Sequence, residues 1–145
     1  EPVQPLDQAS LSNIAPRLRM TTLYAIAQSR GALVAGTGNK CERYMGYFTK
    51  WGDGACDFNP IADLTVTEIY EFLTYLKAPE NIIRKAPSAG LFEGQTDEAE
   101  MGVTYDEIEM YMETGSCGSD NDARIHRAHA VTEHKRRMPL VYIDD

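Results

Sequence analysis

The chain has 145 residues, of which 43% are hydrophobic and 25% charged, and its formal net charge is −8 at pH 7. That length suits one domain with a real core. No run of about 18 apolar residues occurs, which argues against a membrane span, and the acidic balance argues against nucleic acid as a partner. The opening EPVQPLDQAS lacks the basic and apolar parts of a signal peptide, so a soluble, cytoplasmic protein is expected. Cys41, Cys56 and Cys117 are odd in number and fit no C-x-x-C spacing. Buried or half-buried thiols are therefore expected rather than disulfides or a zinc site. The charge is unevenly spread. Ala86 to Ala123 holds ten acids and no Lys or Arg, whereas Arg17 to Lys50 holds six basic residues and only Glu42 against them. The first segment reads as a solvated acidic surface, the second as the place where a polyanion binds.

Residues 1 to 14 show no clear period and read as a connector or the end of a preceding loop. A helix is predicted from Pro16, with Asn13 as cap, Leu18, Met20, Leu23, Tyr24 and Ala27 as apolar positions, and Gly31 as stop. Arg17 and Arg19 at its N-terminal end oppose the helix dipole, which points them toward an anion. Ala32 to Gly36 is apolar throughout and suits a buried parallel strand. Thr65 to Glu68 has the spacing of a capping box ahead of Ile69, Phe72, Leu73 and Leu76, with Pro79 beyond. A second such box, Thr104 to Glu107, leads a shorter helix through Ile108, Tyr111 and Met112. Ala86 to Gly102, polar and carrying three glycines, reads as a long loop and mobile cover. Asp120 or Asp122 is expected to cap a last helix toward Glu133. The basic His134-Lys135-Arg136-Arg137 run then leads into MPLVYI. A buried parallel strand needs neighbours, and only Leu140 to Ile143 offers another. The sequence therefore reads as the C-terminal part of a larger α/β domain, 1–145 being a single domain incomplete at its N-terminus.

The segment from Gly36 to Asp57, GTGNKCERYMGYFTKWGDGACD, carries the chemistry. Glycines after a strand let a backbone approach phosphate, and the next helix start presents free N–H groups. G-T-G-N-K-C lacks the third glycine of a dinucleotide fingerprint and is equally a plain strand-to-helix turn. Thr37 offers a hydroxyl to a nucleotide. Glu42 either holds Mg²⁺, a cation that prefers oxygen, or simply partners the helix dipole. Lys50 and Asp57 flank W-G-D-G, a turn whose Gly52 and Gly54 permit unusual backbone angles. A lysine there either is solvated or neutralises charge on a phosphate or acyl oxygen. His126, His129 and His134 read as exposed histidines without the acid or thiol partners of a metal set.

Several stretches together resemble one family. They are N-I-x-P-R-L-R-M from Asn13, V-A-G-T-G-N-K-x-E from Val34, G-Y-F-T-K-W-G-D-G-x-x-D from Gly46, K-A-P-S-A-G-L from Lys85, G-Q-T-D-E from Gly94 and T-E-H-K-R-R from Thr132. In this order they resemble bacterial NAD synthetase, the ammonia-dependent form most. The resemblance implies the C-terminal part of an adenine-nucleotide alpha-hydrolase-like, Rossmann-like domain, a parallel sheet with helices on both faces. It also implies an ATP-dependent amidation of deamido-NAD with ammonia through an adenylated carboxylate, and a homodimer. By position it assigns Arg17, Lys50, Asp57, His134 and Lys135 to deamido-NAD, with Lys50 and Asp57 catalytic. Thr37 and Ser88 fall to ATP and Glu42 to Mg²⁺.

Two departures stand out. The family's Ser-Gly-Gly-x-Asp-Ser pyrophosphatase loop is nowhere in this sequence, so turnover is expected only with an N-terminal part. Val66 stands where many relatives carry an ATP-contacting lysine. Two alternatives are the synthetase portion of a glutamine-dependent relative, and a non-catalytic dinucleotide-binding module without the ATP loop.

Overall fold

The computed structural model describes residues 4–90 and 94–142. In chain order their helices are α1 Gln8–Ser12, α2 Ile14–Arg30, α3 Lys40–Met45, α4 Val66–Tyr75, α5 Glu80–Ile83, α6 Asp97–Met101, α7 Tyr105–Thr114, α8 Asp122–Val131 and α9 Glu133–Arg136. No described helix is long and apolar enough to cross a membrane.

The stretch expected to be a connector contains α1, because Asp7 caps it by accepting the Ser10 N–H at 2.6 Å. The cap expected at Asn13 is not made: its backbone is already helical and its side chain leaves the α2 N–H groups alone. Instead its Nδ2 donates to the Ala9 carbonyl and its Oδ1 accepts from the Thr49 hydroxyl. Gly31, at φ 61°, ends α2 as expected. Pro16 and Ala27 are buried, but Leu18 is 64% exposed and Leu23 and Ile26 also face outward, so the apolar face of α2 is largely uncovered within this chain.

The strand expectations are not met among the described residues. Ala32 to Gly36 contributes one parallel bridge, Ala35 with Phe58, and Leu33 is 71% exposed. The pairing is nonetheless well formed locally: Gly36 N–H donates to the Phe58 carbonyl at 2.7 Å and Asp57 N–H to the Val34 carbonyl at 2.9 Å. Leu140 to Tyr142 are exposed and form no strand, and Ile143 lies outside the described residues. A strand is held by a ladder of backbone bonds to a neighbour, and among the described residues the first candidate makes a single bridge and the second none.

Three capping boxes set helix starts: Asn39 with Glu42, Thr65 with Glu68, and Thr104 with Glu107. The second and third follow the sequence pattern. The polar loop expected over 86–102 contains α6, started by Thr96 and stopped by Gly102 at φ 68°. Leu91, Phe92 and Glu93 lie outside the described residues. Neither Asp120 nor Asp122 caps α8: Asn121 takes that position without a side-chain bond, and Asp122 instead accepts from Ser116 Oγ and the Cys117 N–H. The core gathers Cys41 and Met45 of α3, Val66 of α4, Val103, Tyr105 and Ile108 around α7, and Ile125 of α8. Gly46, at φ 68°, ends α3 against the α8–α9 junction, where an added Cβ would stand 2.2 Å from Thr132 Cβ.

Candidate functional site

The turn after α3 collects cations from three parts of the chain. Arg17, in the first turn of α2, donates from Nε to the Lys50 carbonyl at 3.3 Å. Lys50 Nζ donates to the His134 carbonyl and stands 5.4 Å from the centre of the Trp51 ring. Lys135 reaches back from α9, its Nζ donating to the Gly46 and Phe48 carbonyls at 2.7 Å each. Burial holds the Lys135 amine below its usual range, while the nearby Asp53 carboxylate opposes that shift. The Lys135 ammonium thus braces the turn with two of its three protons. His134 lends its carbonyl, and its ring is exposed.

The W-G-D-G glycines serve closeness rather than unusual angles, contrary to the expectation. Neither has a positive φ; Trp51 takes the left-handed conformation instead, at φ 63°. A Cβ on Gly52 would lie 2.9 Å from Pro16 Cβ, and one on Gly54 2.3 Å from Phe48 Cδ2. The two glycines let the turn lie flat on α2 and on the Phe48 ring, which places Lys50 beside Arg17. Asp53 closes the turn by accepting the Thr49 N–H at 3.0 Å.

Glu42 precedes this turn, on α3. Its Oε2 accepts the Asn39 N–H at 2.7 Å, completing the capping box. Burial pushes its carboxyl up to about 7; the Asn39 N–H opposes this, and the Asp97 and Asp53 carboxylates add to it. Asp97 is the residue that sequence reasoning missed. It is 3% exposed, and its Oδ2 accepts from the Tyr105 hydroxyl at 2.9 Å. Its Oδ1 is buried with no hydrogen-bond partner among the described residues. The G-Q-T-D-E stretch contained it, but one acid in a strongly acidic segment gives no signal of its own. Asp53 and Asn39 were likewise unassigned.

Hard oxygen donors with an orphaned carboxylate oxygen fit Mg²⁺, which commonly takes one or two carboxylates and completes its shell with water and substrate phosphates. No group of three or more described His, Cys, Asp or Glu side chains is placed to enclose a metal alone. His129 is half-buried rather than exposed, stacked on Tyr44 with ring centroids 4.1 Å apart.

The remaining predicted residues are not drawn into one cluster by direct contacts. Asp57 turns away from Lys50: its Oδ2 accepts the Val34 N–H at 2.7 Å and its Oδ1 the Tyr24 hydroxyl at 3.4 Å. It therefore fastens the parallel bridge. Thr37 is exposed in the turn between that bridge and α3; at the next residue, a Cβ on Gly38 would stand 3.7 Å from Glu42 Oε2. Ser88 Oγ accepts the Gly90 N–H, and no contact among the described residues joins it to Thr37 or Glu42. Val66 is buried in the core at the start of α4 and is not available to a ligand.

A cation-lined turn backed by buried carboxylates defines a domain suited to a polyanion and a hard cation together. The NAD synthase family matches residues 3–139, and the chain belongs to that family. It is 54% identical over 135 residues to the NH(3)-dependent NAD(+) synthetase of Carboxydothermus hydrogenoformans, a match that covers 93% of this chain and 56% of the relative. Among solved structures it resembles an NMN synthetase from Francisella tularensis, with a TM-score of 0.89, 47% identity, and coverage of 95% of this chain and 58% of that one. It also resembles the NH3-dependent NAD synthetase from Campylobacter jejuni, with a TM-score of 0.75, 30% identity, and coverage of 97% and 58%. The chain thus spans somewhat over half the length of the relatives it matches.

Proposed function

We propose that these residues form the substrate side of an ammonia-dependent NAD synthetase. In that reaction the nicotinate carboxylate of deamido-NAD attacks ATP, pyrophosphate leaves, and ammonia displaces AMP from the adenylate to give the amide. The observation that carries the reading is the convergence of Arg17, Lys50 and the His134–Lys135 segment on the 46–54 turn. In a chain of net charge −8, it provides a positive surface for a dinucleotide. Arg17 keeps its terminal nitrogens free of partners among the described residues, and Lys50 is the residue we assign to neutralise charge on the acyl oxygen. Thr37 and Ser88 offer hydroxyls to ATP. Asp57 acts by holding the Ala35–Phe58 bridge that frames the Thr37 turn, and is the acid we assign to the deamido-NAD side.

Glu42, backed by Asp97, is the residue we assign to Mg²⁺, which when bound supplies charge neutralisation to the phosphates. We further propose that the Ala35–Phe58 bridge is the edge of a parallel sheet with helices on both faces, completed by polypeptide corresponding to the rest of the relatives' length. The uncovered face of α2 is the surface we assign to homodimer formation.

A second reading is favoured by the likeness to the Francisella structure: the same surface would accept the mononucleotide, nicotinate mononucleotide, and yield NMN. One assay separates these. The complete polypeptide that carries this chain is given ATP, Mg²⁺ and ammonium with either deamido-NAD or nicotinate mononucleotide, and AMP release is followed. Faster turnover per substrate concentration with deamido-NAD is expected, and Lys50→Ala is expected to cut it by at least two orders of magnitude at unchanged thermal stability. Preference for the mononucleotide supports the second reading. AMP release from neither sinks both and leaves a binding module.

A further inference from the structure

A second basic recess lies away from the turn described above. It has a volume of about 200 Å³ and is lined by Lys40 and Arg43 of α3, Tyr44, His129 of α8 and Arg136 of α9. Neighbouring residues Lys135 and Arg136 point to different places: Lys135 reaches the Gly46 and Phe48 carbonyls, whereas Arg136 bonds the Arg43, Tyr44 and His129 carbonyls and the Thr132 hydroxyl. The segment from Arg43 to Gly46 thus separates two cationic surfaces.

Arg136 is also paired with Glu133, at 3.0 Å. Lys40 and Arg43 have no ion-pair partner among the described residues, although Asp63 adjoins the lining residue Ala62. Arg43 spends one long hydrogen bond, 3.4 Å, on the Ala62 carbonyl. Two unpaired cations, Lys40 and Arg43, line one concavity beside the Glu133-paired Arg136, and an anion seated between them would relieve their mutual repulsion. The stacked His129–Tyr44 pair gives the recess a rigid wall, fixed by the 2.9 Å contact between His129 Nδ1 and the Tyr44 carbonyl. The recess is smaller than drug-sized pockets and suits a small ion.

We propose that this recess binds a small inorganic oxyanion, phosphate or pyrophosphate, at a site separate from that of deamido-NAD and ATP. The inference does not depend on the proposed reaction. Calorimetric titration of the complete polypeptide, without divalent metal and at about 0.15 M salt to screen surface charge, tests it with each anion in turn. Saturable binding is expected, weakened at least tenfold in Lys40→Ala/Arg43→Ala and in the milder Arg43→Gln, and unchanged in Lys50→Ala. The tighter of the two anions names the occupant. Absence of saturable binding, binding indifferent to Lys40 and Arg43, or binding lost in Lys50→Ala overturns the proposal.

Discussion

Glu42 is pulled between two states of its carboxyl. The Asn39 N–H and any bound cation favour the charged form, while burial and the Asp97 and Asp53 charges favour the neutral one, which wins up to a pH of about 7. In the metal-free chain the folded state therefore keeps a proton that the unfolded state releases near 4.5. Between those values the folded state binds more protons, so its stability falls as pH rises, by roughly 3 kcal/mol at most. Glu42→Gln removes the charge and keeps an acceptor for Asn39. Urea unfolding with EDTA present is expected to show the Gln variant near wild type at pH 5 and more stable by roughly 2–3 kcal/mol at pH 8. A difference that does not change with pH would show a solvated carboxylate. Cys41 gives a second prediction at this scale. Burial pushes its thiol up to about 12, and it is fully buried, whereas Cys56 and Cys117 are half-buried. Alkylation at pH 8 is expected to modify Cys56 and Cys117 in the native chain and Cys41 only after denaturant is added.

At the level of elements, α3 connects the two surfaces, and its C-terminal stop is its weak point. Gly46 has a positive φ and its missing Cβ leaves room for Thr132, so Gly46→Ala meets both backbone strain and a clash. A loss of roughly 3 kcal/mol or more is expected in denaturant unfolding, against about 1 kcal/mol for removing the Thr65 cap by Thr65→Ala. A Gly46→Ala loss no larger than that of Thr65→Ala would show that the α8–α9 junction moves aside. The same contrast explains what was legible in the sequence. Thr65–Glu68 and Thr104–Glu107 are complete within four residues, so reading them needs no knowledge of the rest of the fold. The strand expected at Ala32 to Gly36 depends on its neighbours, and composition alone does not show that among the described residues it makes a single bridge, Ala35 with Phe58. Helix α6 is five residues long, too short for an apolar period to show. The cations of the site were legible by type. That Lys135 is held by two carbonyls, that Asp57 faces Val34, and that Asp97 is buried behind Glu42 all arise from contacts between distant segments.

For the whole molecule, the uncovered apolar surface and the half-length match point to the same division of labour. Leu33 beside the bridge and Phe58 itself are exposed, and the bridge has backbone groups to offer on its open edge. Relatives such as that of Carboxydothermus carry 44% of their length beyond the matched part, taking the 56% covered from the whole. If polypeptide of that kind supplies both the remaining sheet and the loop that grips pyrophosphate, activity and burial should appear together. The 145 residues alone are then expected to release no AMP from ATP, deamido-NAD and ammonium. Addition of the separately produced remaining part of the Carboxydothermus relative is expected to restore release and to produce a complex on size exclusion, with a rise in thermal stability. Leu33→Asp, placed at the bridge and away from the cationic turn, should weaken both the complex and the restored turnover in parallel. AMP release by the 145 residues alone, or full restoration with Leu33→Asp, would show that the substrate side needs no such completion.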